Sequence, residues 1–344
     1  MQGPERILVR APTWIGDAVM ATPALRALRA AWPRAEIALE GRLEVGALLR
    51  GLASFDRFLA DPGRGPRATL ARARALRAGG YDLAVLLPDS ARTALAPFLA
   101  RVPRRVGYAR DPLRRALLTE AIAPPRAHGR RLAVPMTERY LRITRHLGCP
   151  DRGDRLELAV HPAAESDLAR ELERRGVGAA ERLLVVTPGS AFGPAKRWPA
   201  GHFAAAAELL ARRRGLLPVL APTGSEAGLA RAIAGAMRVR VVALLDPAPD
   251  VERLKALVAR AALVLTNDSG PRHVAVAFGR PVIVVMGPSD PENTAQHLGG
   301  QRVLREPVPC SPCGRRTCPI DHRCMTRLRP ERVLAAAEEL GDGV

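Results

Sequence analysis

Lysine is almost absent from this chain of 344 residues: of its 53 basic residues, only Lys196 and Lys255 are lysines. Aromatic residues are scarce at 3%, and no stretch interleaves basic side chains with the stacking rings that nucleic-acid-binding proteins use. No apolar run reaches the roughly 18 residues of a membrane-spanning helix, and residues 1–10 lack the apolar block of a secretory signal. We therefore expect a soluble, cytoplasmic chain that does not bind nucleic acid.

The chain is strongly basic, with a formal net charge of +19 at pH 7. One interpretation is a compositional bias towards Arg, Ala, Gly and Pro that replaced surface lysines without a functional demand. The other is that the basic surface attracts a polyanion. Given the few aromatic rings, an anionic membrane or a phosphorylated glycolipid fits that second interpretation better than nucleic acid. Composition leaves both interpretations open.

Short apolar strands alternate with amphipathic helices along the chain, a pattern typical of a parallel sheet covered on both faces. We identify five strands in each half, with an interruption near residues 151–182 before the pattern restarts at "ERLLVVTPGS". The length accommodates two domains of ordinary size. The sequence thus predicts an α/β protein with two doubly wound domains in series. In such sheets, ligands bind beyond the carboxyl ends of the strands.

The stretch "APTWIGDAVMATPALRAL" follows the first strand and places Asp17 beside Gly16 at a helix start. A dinucleotide-binding loop would require G-x-G-x-x-G, and this loop has a single glycine. Glu40, at the end of the second strand, lies where that motif has its ribose-binding acid. Without the glycines, the match to the dinucleotide-binding motif is weak. Asp17 is then either a favourable partner of the helix dipole or a carboxylate that takes part in chemistry.

Two loops in the second half are suited to binding phosphate. "TPGSAFGPAKRWPAGHF" follows a strand and fails the Walker spacing, but it can present Lys196 and backbone N–H groups to an anion. In "TNDSGPRHVAVAFG", Asp268, Ser269 and Gly270 end a strand, and the next helix points its N-terminus at whatever lies there. Between these loops, Glu226 starts another helix. The alternatives are that the turn in "TNDSGPRHVAVAFG" is a plain strand-to-helix turn capped by Asp268 or Ser269, and that Glu226 only caps its helix.

Five stretches together resemble glycosyltransferase family 9, the heptosyltransferase family: "GDAVMATPALRALR", "GPAKRWP", "NDSGPRHVA", "VVMGPSDP" and "CSPCGRRTCPIDHRCM". The likeness covers nearly the whole chain. It implies a GT-B architecture, with two Rossmann-like domains facing across a cleft. We expect an acceptor-binding domain at 1–158, a nucleotide-sugar-binding domain at 159–325, and a final helix at 326–344 that returns to the first domain.

The resemblance also implies roles for individual residues. Asp17 resembles the catalytic base, Lys196 a diphosphate ligand and Glu226 a ribose-binding acid. Arg272 departs from the family, where relatives usually carry an apolar residue, so it adds either a phosphate contact or a surface charge. No metal and no cofactor are expected. The other residues expected to bind the donor are Thr187, Gly189, Ser190, Asp268, Ser269, Gly270 and His273.

The activity implied by the resemblance is inverting transfer of a heptose from ADP-L-glycero-β-D-manno-heptose to the heptosyl-Kdo-lipid A inner core of lipopolysaccharide. The acceptor would be a phosphorylated glycolipid at the cytoplasmic membrane face, and the enzyme peripheral to the inner membrane. Three alternatives stay open: a sibling heptosyltransferase that uses Kdo-lipid A, another nucleotide-sugar enzyme, and a basic nucleic-acid-binding protein.

Four cysteines near the end of the chain form a C-x2-C-x4-C-x5-C pattern close to His322. In a cytosolic protein, such a cluster favours metal or free thiols over disulfides. The spacing of the cysteines is irregular for a zinc site, and the family resemblance does not imply a metal. We therefore interpret the segment as a structural or acceptor-side loop. The cysteines are Cys310, Cys313, Cys318 and Cys324.

Overall fold

Each half of the chain is built around one six-stranded parallel sheet in the computed structural model, which describes residues 3–127 and 130–341. The contacts between residues divide the chain into two units. The first unit comprises Met1–Glu157 with Glu292–Thr294, and the second comprises Leu158–Pro291 with Ala295–Val344. No helix within the described ranges is both long enough and apolar enough to cross a bilayer.

The first unit alternates strands and helices in the order expected of a doubly wound sheet. Its elements are β1 (Arg6–Arg10), α1 (Ile15–Met20), α2 (Thr22–Ala31), β2 (Glu36–Gly41), α3 (Leu43–Leu49), β3 (Arg57–Ala60), α4 (Pro66–Ala78), β4 (Leu83–Leu86), α5 (Ala91–Leu99), β5 (Arg104–Tyr108), α6 (Pro112–Leu117), β6 (Glu120–Ile122), β7 (Arg126–Ala127), β8 (Arg130–Arg131) and α7 (Met136–His146). The short strands β7 and β8 pair antiparallel, outside the main sheet.

The second unit repeats this arrangement. Its elements are α8 (Pro162–Arg174), β9 (Leu183–Thr187), α9 (Ala200–Arg214), β10 (Leu217–Leu220), α10 (Ala227–Ala236), β11 (Val242–Ala243), α11 (Val251–Ala259), β12 (Ala261–Asn267), α12 (Gly270–Ala277), β13 (Val282–Val285), β14 (Gln301–Leu304), α13 (Arg323–Thr326) and α14 (Glu331–Glu339). Short 3₁₀ turns lie at Pro194–Lys196, Gly224–Glu226 and Pro291–Thr294.

The strand order is the same in both sheets and defines where a ligand can bind. The first sheet runs β3-β2-β1-β4-β5-β6 and the second β11-β10-β9-β12-β13-β14. The chain therefore reverses direction across the sheet between β1 and β4, and again between β9 and β12. In open α/β sheets, the loops beyond the carboxyl ends of the strands at such a switch point form the binding crevice.

The central strands are buried on both faces, which is why they are continuous apolar runs. All five residues of β9 (Leu183–Thr187) and all four of β13 (Val282–Val285) are buried. In the first unit, Ile7, Leu8 and Val9 of β1 are fully inaccessible to solvent. The prediction of an α/β protein with two doubly wound, Rossmann-like domains is confirmed by these two sheets.

The last helix, α14, packs on the second sheet. Val333 and Ala337 are buried in the core of the second unit, and Nε of Arg302 in β14 lies 2.9 Å from a carboxylate oxygen of Glu339. The contacts of α14 are therefore with α9, β13 and β14. The expectation that 326–344 returns to the first domain stays a prediction.

Candidate active site

The loops that follow β9 and β12 lie side by side at the switch point of the second sheet. Thr187 pairs in register with Thr266, so both strands end at the same level. The buried Asn267 then ties the two loops together. Its side-chain nitrogen donates to the carbonyl of Pro188 (2.5 Å), and its side-chain oxygen accepts from the backbone N–H of Trp198 (3.0 Å). One amide thus fixes both ends of the loop that carries the predicted diphosphate ligand.

Lys196 reaches from that loop to the end of β12. Its Nζ donates to the Asp268 carboxylate (2.9 Å to Oδ2) and to the Asp268 carbonyl (3.1 Å). The ammonium also lies 5.1 Å from the ring centroid of Phe192, within the range of a cation–π contact. The side chain remains 19% exposed. Lys196 is therefore anchored but still accessible to an anion.

Asp268 lies between two cations. Lys196 contacts one carboxylate oxygen, and Nη1 of Arg272 lies 2.9 Å from the other. Burial raises the pKa of Asp268, but the charges of Lys196 and Arg272 outweigh burial and hold the pKa well below its usual range. The carboxyl therefore stays ionised at physiological pH, and the three side chains together carry one net positive charge.

Arg272 is a buried member of this cluster and not a surface charge. It is 1% exposed, and its Nε donates to the side-chain oxygen of Gln301 (2.7 Å). Burial lowers the pKa of its guanidinium, while the neighbouring Asp268 opposes that effect. Arg272 is thus held by two polar partners, one on β14 and one directly after β12.

His273 contributes a neutral imidazole to the same region. It is buried in the first turn of α12. Burial and the nearby positive charge of Arg272 lower the pKa of His273 to about 3, with Asp268 opposing the shift. The ring is therefore uncharged at physiological pH, so it can form hydrogen bonds to a ligand without adding charge.

The side chain of Ser269 does not cap α12. Ser269 is the N-cap residue, yet its side chain makes no capping hydrogen bond; its hydroxyl lies 3.3 Å from that of Thr266. Gly270 begins the helix. On the neighbouring loop, Thr187 and Ser190 are both buried. The hydroxyl of Ser269 is therefore not committed to capping its own helix.

Glu226 caps its own turn and also lies against the loop after β9. Its carboxylate accepts from the backbone N–H (3.1 Å) and the hydroxyl (2.6 Å) of Thr223, which forms a capping box. A Cβ atom added to Gly189 would coincide with this carboxylate. Arg197 approaches the other carboxylate oxygen at 3.9 Å. Glycine at 189 is thus required by the close approach of Glu226.

Gly189→Ala is therefore expected to destabilise the protein, because the new methyl group must displace Glu226. Overpacking of this kind costs about 1–3 kcal/mol in the free energy of unfolding, which denaturant titration measures. Gly201→Ala is the matched control, since a Cβ there meets no atom within 4 Å. If both variants unfold at the same denaturant concentration, the close approach is not as described.

Asp17 lies in the first unit, in the first turn of α1 and after β1. It is partly exposed. Burial raises the pKa of Tyr140 well above its usual range, and the charges of Asp17 and Asp89 raise that pKa further. Asp89 follows β4 and pairs with Arg139 (3.1 Å). Two carboxylates from the segments that follow β1 and β4, the strands at the switch point of the first sheet, thus raise the pKa of one buried tyrosine.

Glu40 is part of a buried ion-pair cluster. It is 2% exposed and pairs with Arg72 and with Arg10, whose Nη1 lies 3.7 Å away. Arg10 also pairs with Asp61. These contacts give Glu40 a role in joining the carboxyl ends of neighbouring strands, and they leave no support for the weak dinucleotide-binding interpretation.

The five cysteines are free thiols. Cys149 and Cys324 are buried, whereas Cys310 and Cys313 are exposed. Burial raises the pKa of Cys149 to about 11, so this thiol is not activated. Across the part of the chain that the structure describes, no three or more His, Cys, Asp or Glu side chains form a group that could hold a metal ion.

The sequence profile of glycosyltransferase family 9 (heptosyltransferase) matches residues 69–323. The chain belongs to glycosyltransferase family 9. Among curated family 9 relatives, a lipopolysaccharide heptosyltransferase 2 from Salmonella typhimurium is 31% identical over 314 residues, covering 87% of this chain and 88% of that protein. This family 9 chain is therefore a glycosyltransferase, as its resemblance to the family predicted.

Solved structures show the same fold for family 9. The structure of Escherichia coli ADP-heptose lipopolysaccharide heptosyltransferase II superposes with a TM-score of 0.78 at 27% identity, covering 97% of this chain and 98% of that one. A family 9 glycosyltransferase from Veillonella parvula superposes with a TM-score of 0.83 at 23% identity, covering 98% and 97% of the two chains. The prediction of a GT-B-type fold is confirmed.

The geometry of this family 9 chain brings several predicted donor-side residues together. Lys196, Asp268 and His273 share one cluster, which also contains Arg272. The sequence interpretation missed Asn267, although a buried amide at the very end of a strand, directly before the predicted phosphate-binding turn, was a usable signal.

Proposed function

We propose that this chain transfers a heptose, with inversion, from ADP-L-glycero-β-D-manno-heptose to the heptosyl-Kdo-lipid A inner core of lipopolysaccharide. The observation that carries the proposal is the Lys196–Asp268–Arg272 cluster, a net positive group at the carboxyl ends of β9 and β12. The relatives support the sugar and the acceptor, because they are named lipopolysaccharide heptosyltransferase 2. The name of the related E. coli structure supports ADP-heptose as donor.

The proposal assigns stabilisation of the leaving ADP to the second unit. Negative charge accumulates on the diphosphate as its bond to the sugar breaks. Lys196 would donate a charge-assisted hydrogen bond to that charge, and the N–H groups at the start of α12 would add to it. Asp268 holds the ammonium in place through its own ionised carboxylate. Asp268 therefore acts on the donor through Lys196.

Glu226 would bind the ribose of the donor, and His273 would belong to the turn that binds the diphosphate. Oε2 of Glu226 accepts from Thr223, and Oε1, which Arg197 approaches at 3.9 Å, would accept from a ribose hydroxyl. The uncharged ring of His273 would offer a hydrogen bond next to the diphosphate. Thr187, Gly189, Ser190, Ser269 and Gly270 complete the proposed donor site.

The first unit supplies the base in this proposal. Asp17 accepts the proton of the acceptor hydroxyl while that oxygen forms its bond to the anomeric carbon and the bond to ADP breaks. A single displacement of this kind inverts the anomeric centre. NMR of the product should therefore show an α-linked heptose formed from the β-linked donor; a β-linked product would contradict a one-step displacement with Asp17 as base.

The acceptor would be reached at the cytoplasmic face of the inner membrane. Exposed arginines of the first unit include Arg101, Arg104 and Arg115. Arg114, in the same basic stretch, is fully buried and donates to backbone carbonyls, among them that of Pro88 (2.6 Å). Only the exposed members of the stretch can therefore attract anionic lipid.

Replacing Arg101, Arg104 and Arg115 together with Gln is expected to weaken co-sedimentation with anionic vesicles at low salt. The attraction is electrostatic, and exposed charges more than about 10 Å apart are screened at 0.1 M salt, so binding of the unaltered chain should also fall steeply as salt is added. The control removes the same charge from the second unit, through Gln at Arg213, Arg231 and Arg280, which are exposed. Equal loss in both triple variants would favour the compositional-bias interpretation.

The nucleic-acid alternative is not favoured, because family membership makes the chain a glycosyltransferase. The sibling activity on Kdo-lipid A differs from the proposal only in the acceptor, so a comparison of the two acceptors separates them.

A further inference from the structure

The cysteine-rich segment, residues 310–324, is in direct contact with the loop that carries Lys196. The backbone N–H of Ala195 donates to the carbonyl of Arg316 (3.0 Å). In return, Nε of Arg316 donates to the carbonyl of Phe192 (2.8 Å). The guanidinium carbon of Arg316 lies 5.5 Å from the centroid of the Phe192 ring. Arg316 thus holds this loop through its backbone, its side-chain hydrogen bond and its charge.

His322 holds the same loop from a second point. Its Nε2 lies 2.7 Å from the carbonyl oxygen of Ala195 and donates to it, so both backbone groups of Ala195 are bonded to the cysteine-rich segment. His322 has a left-handed backbone (φ 57°) and directly precedes α13, in which Cys324 and Met325 are buried. The imidazole is therefore presented from an anchored turn.

Gly193 shows how closely the loop fits the segment. Its φ is 153°, and an added Cβ would lie 2.5 Å from the carbonyl oxygen of Arg316. A side chain at this position would therefore push the loop away from Arg316. The G-P-A-K sequence begins with a glycine because the backbone of the segment passes next to it.

The cysteine-rich segment is itself fixed to another strand end of the same sheet. The hydroxyl of Ser311 donates to the carbonyl of Gly287 (2.7 Å), and the backbone N–H of Gly314 donates to the carbonyl of Pro288 (2.8 Å). Gly287 and Pro288 follow β13. The segment therefore connects the loop after β13 with the loop after β9.

We propose that Arg316 and His322 are positioning residues for the donor site: they fix the loop at 192–196 and thereby the ammonium of Lys196. Phe192 provides the physical link, because its ring contacts Lys196 (5.1 Å) and Arg316 (5.5 Å). This inference rests on the proposed function, in which Lys196 binds the donor diphosphate. It gives the cysteine-rich segment a donor-side role in place of the expected structural or acceptor-side one.

The first test compares Arg316→Ala with Arg315→Ala, which removes the same charge from the adjacent exposed residue. Loss of a hydrogen bond that holds the loop should weaken ADP binding by about three- to tenfold in Arg316→Ala, and Arg315→Ala should bind ADP like the unaltered chain. His322→Ala should also weaken binding, and His322→Gln, which keeps an N–H donor of similar reach, should restore it. Calorimetry measures each affinity.

A double-mutant cycle separates positioning from general stabilisation. If Arg316 acts through Lys196, adding Arg316→Ala to Lys196→Ala should cause no further loss of ADP affinity. A purely structural role would instead give losses that multiply. The midpoint of thermal unfolding of Arg316→Ala should stay close to that of the unaltered chain, because Arg316 is exposed.

Hydrogen exchange tests the contact without any ligand. The amide of Ala195 should exchange faster in Arg316→Ala than in Arg315→Ala, since its bonded partner segment is loosened. Equal exchange, or equal ADP affinity, in these two variants would overturn the positioning role. Failure of the unaltered chain to bind ADP would contradict the proposed function instead, so the two failures are distinguishable.

Discussion

Replacement of Asp17 by Asn is expected to lower the turnover number for heptose transfer by about 10²- to 10⁴-fold, the usual contribution of a general base, and to leave ADP affinity nearly unchanged. The substitution is nearly isosteric and removes only the ability to take a proton. Asp17 lies on the first unit, whereas the proposed ADP site is built entirely from the second, so the loss should fall on kcat. Single-turnover kinetics with saturating donor measure it.

The matched control is Asp111→Asn in the same unit. Asp111 caps α6 through the backbone N–H of Arg114 (2.8 Å), and Asn caps a helix about as well as Asp, so activity and stability should both be retained. If Asp17→Asn keeps turnover within about threefold of the unaltered chain, a range far below a general-base contribution, Asp17 is only a partner of the helix dipole.

Lys196→Ala should weaken ADP binding by about ten- to a hundredfold, which corresponds to a charge-assisted hydrogen bond of about 1.5–3 kcal/mol. The structure supplies the reason for an effect of this size. Without Lys196, the proposed site retains the ionised Asp268 with only Arg272 as its cation, so the net positive charge of the cluster is lost. Isothermal calorimetry with ADP measures the change.

Two further substitutions test the proposed role of Lys196 in ADP binding. Lys196→Arg keeps the cation and should lose less affinity than Lys196→Ala. Asp268→Asn removes the carboxylate that holds the ammonium and should also weaken ADP binding, even though it takes away a negative charge from an anion site. Unchanged ADP affinity in Lys196→Ala would remove Lys196 from the donor site.

Most of the fold follows from the sequence pattern, and the two strands of the six-stranded sheets that escaped prediction share a physical cause; the antiparallel pair β7 and β8 was also not predicted. Each half was predicted to have five strands, and each sheet has six. The missing strands, β6 and β14, are edge strands of three and four residues with mostly half-buried side chains. An edge strand covered on only part of its surface does not need the continuous apolar run that identifies a central strand.

The sequence predicted the parts of the site that lie at strand ends. It did not predict contacts between residues that are far apart in the sequence. Lys196 and Asp268 each follow a strand, so both loops were found. Asp268 is held by Lys196, which lies 72 positions away in the sequence. No local sequence pattern indicates such a contact. The same holds for Arg316, which lies 124 positions from Phe192.

The structure also changes the interpretation of the high arginine content, because some of the arginines are buried. Arg10, Arg114 and Arg272 are almost fully buried, and each makes a specific polar contact. Part of the positive charge is therefore internal and structural, and the formal charge of +19 overstates what the surface presents. Composition alone cannot separate these internal arginines from exposed ones such as Arg101.

The measurement that tests the central proposal most directly is ADP release from ADP-L-glycero-β-D-manno-heptose with heptosyl-Kdo-lipid A and Kdo-lipid A offered separately. We predict rapid ADP release with heptosyl-Kdo-lipid A, a product heavier by one heptose, and little release with Kdo-lipid A or without acceptor. Faster release with Kdo-lipid A would assign the sibling activity, and no acceptor-dependent release with either glycolipid would contradict the proposed function.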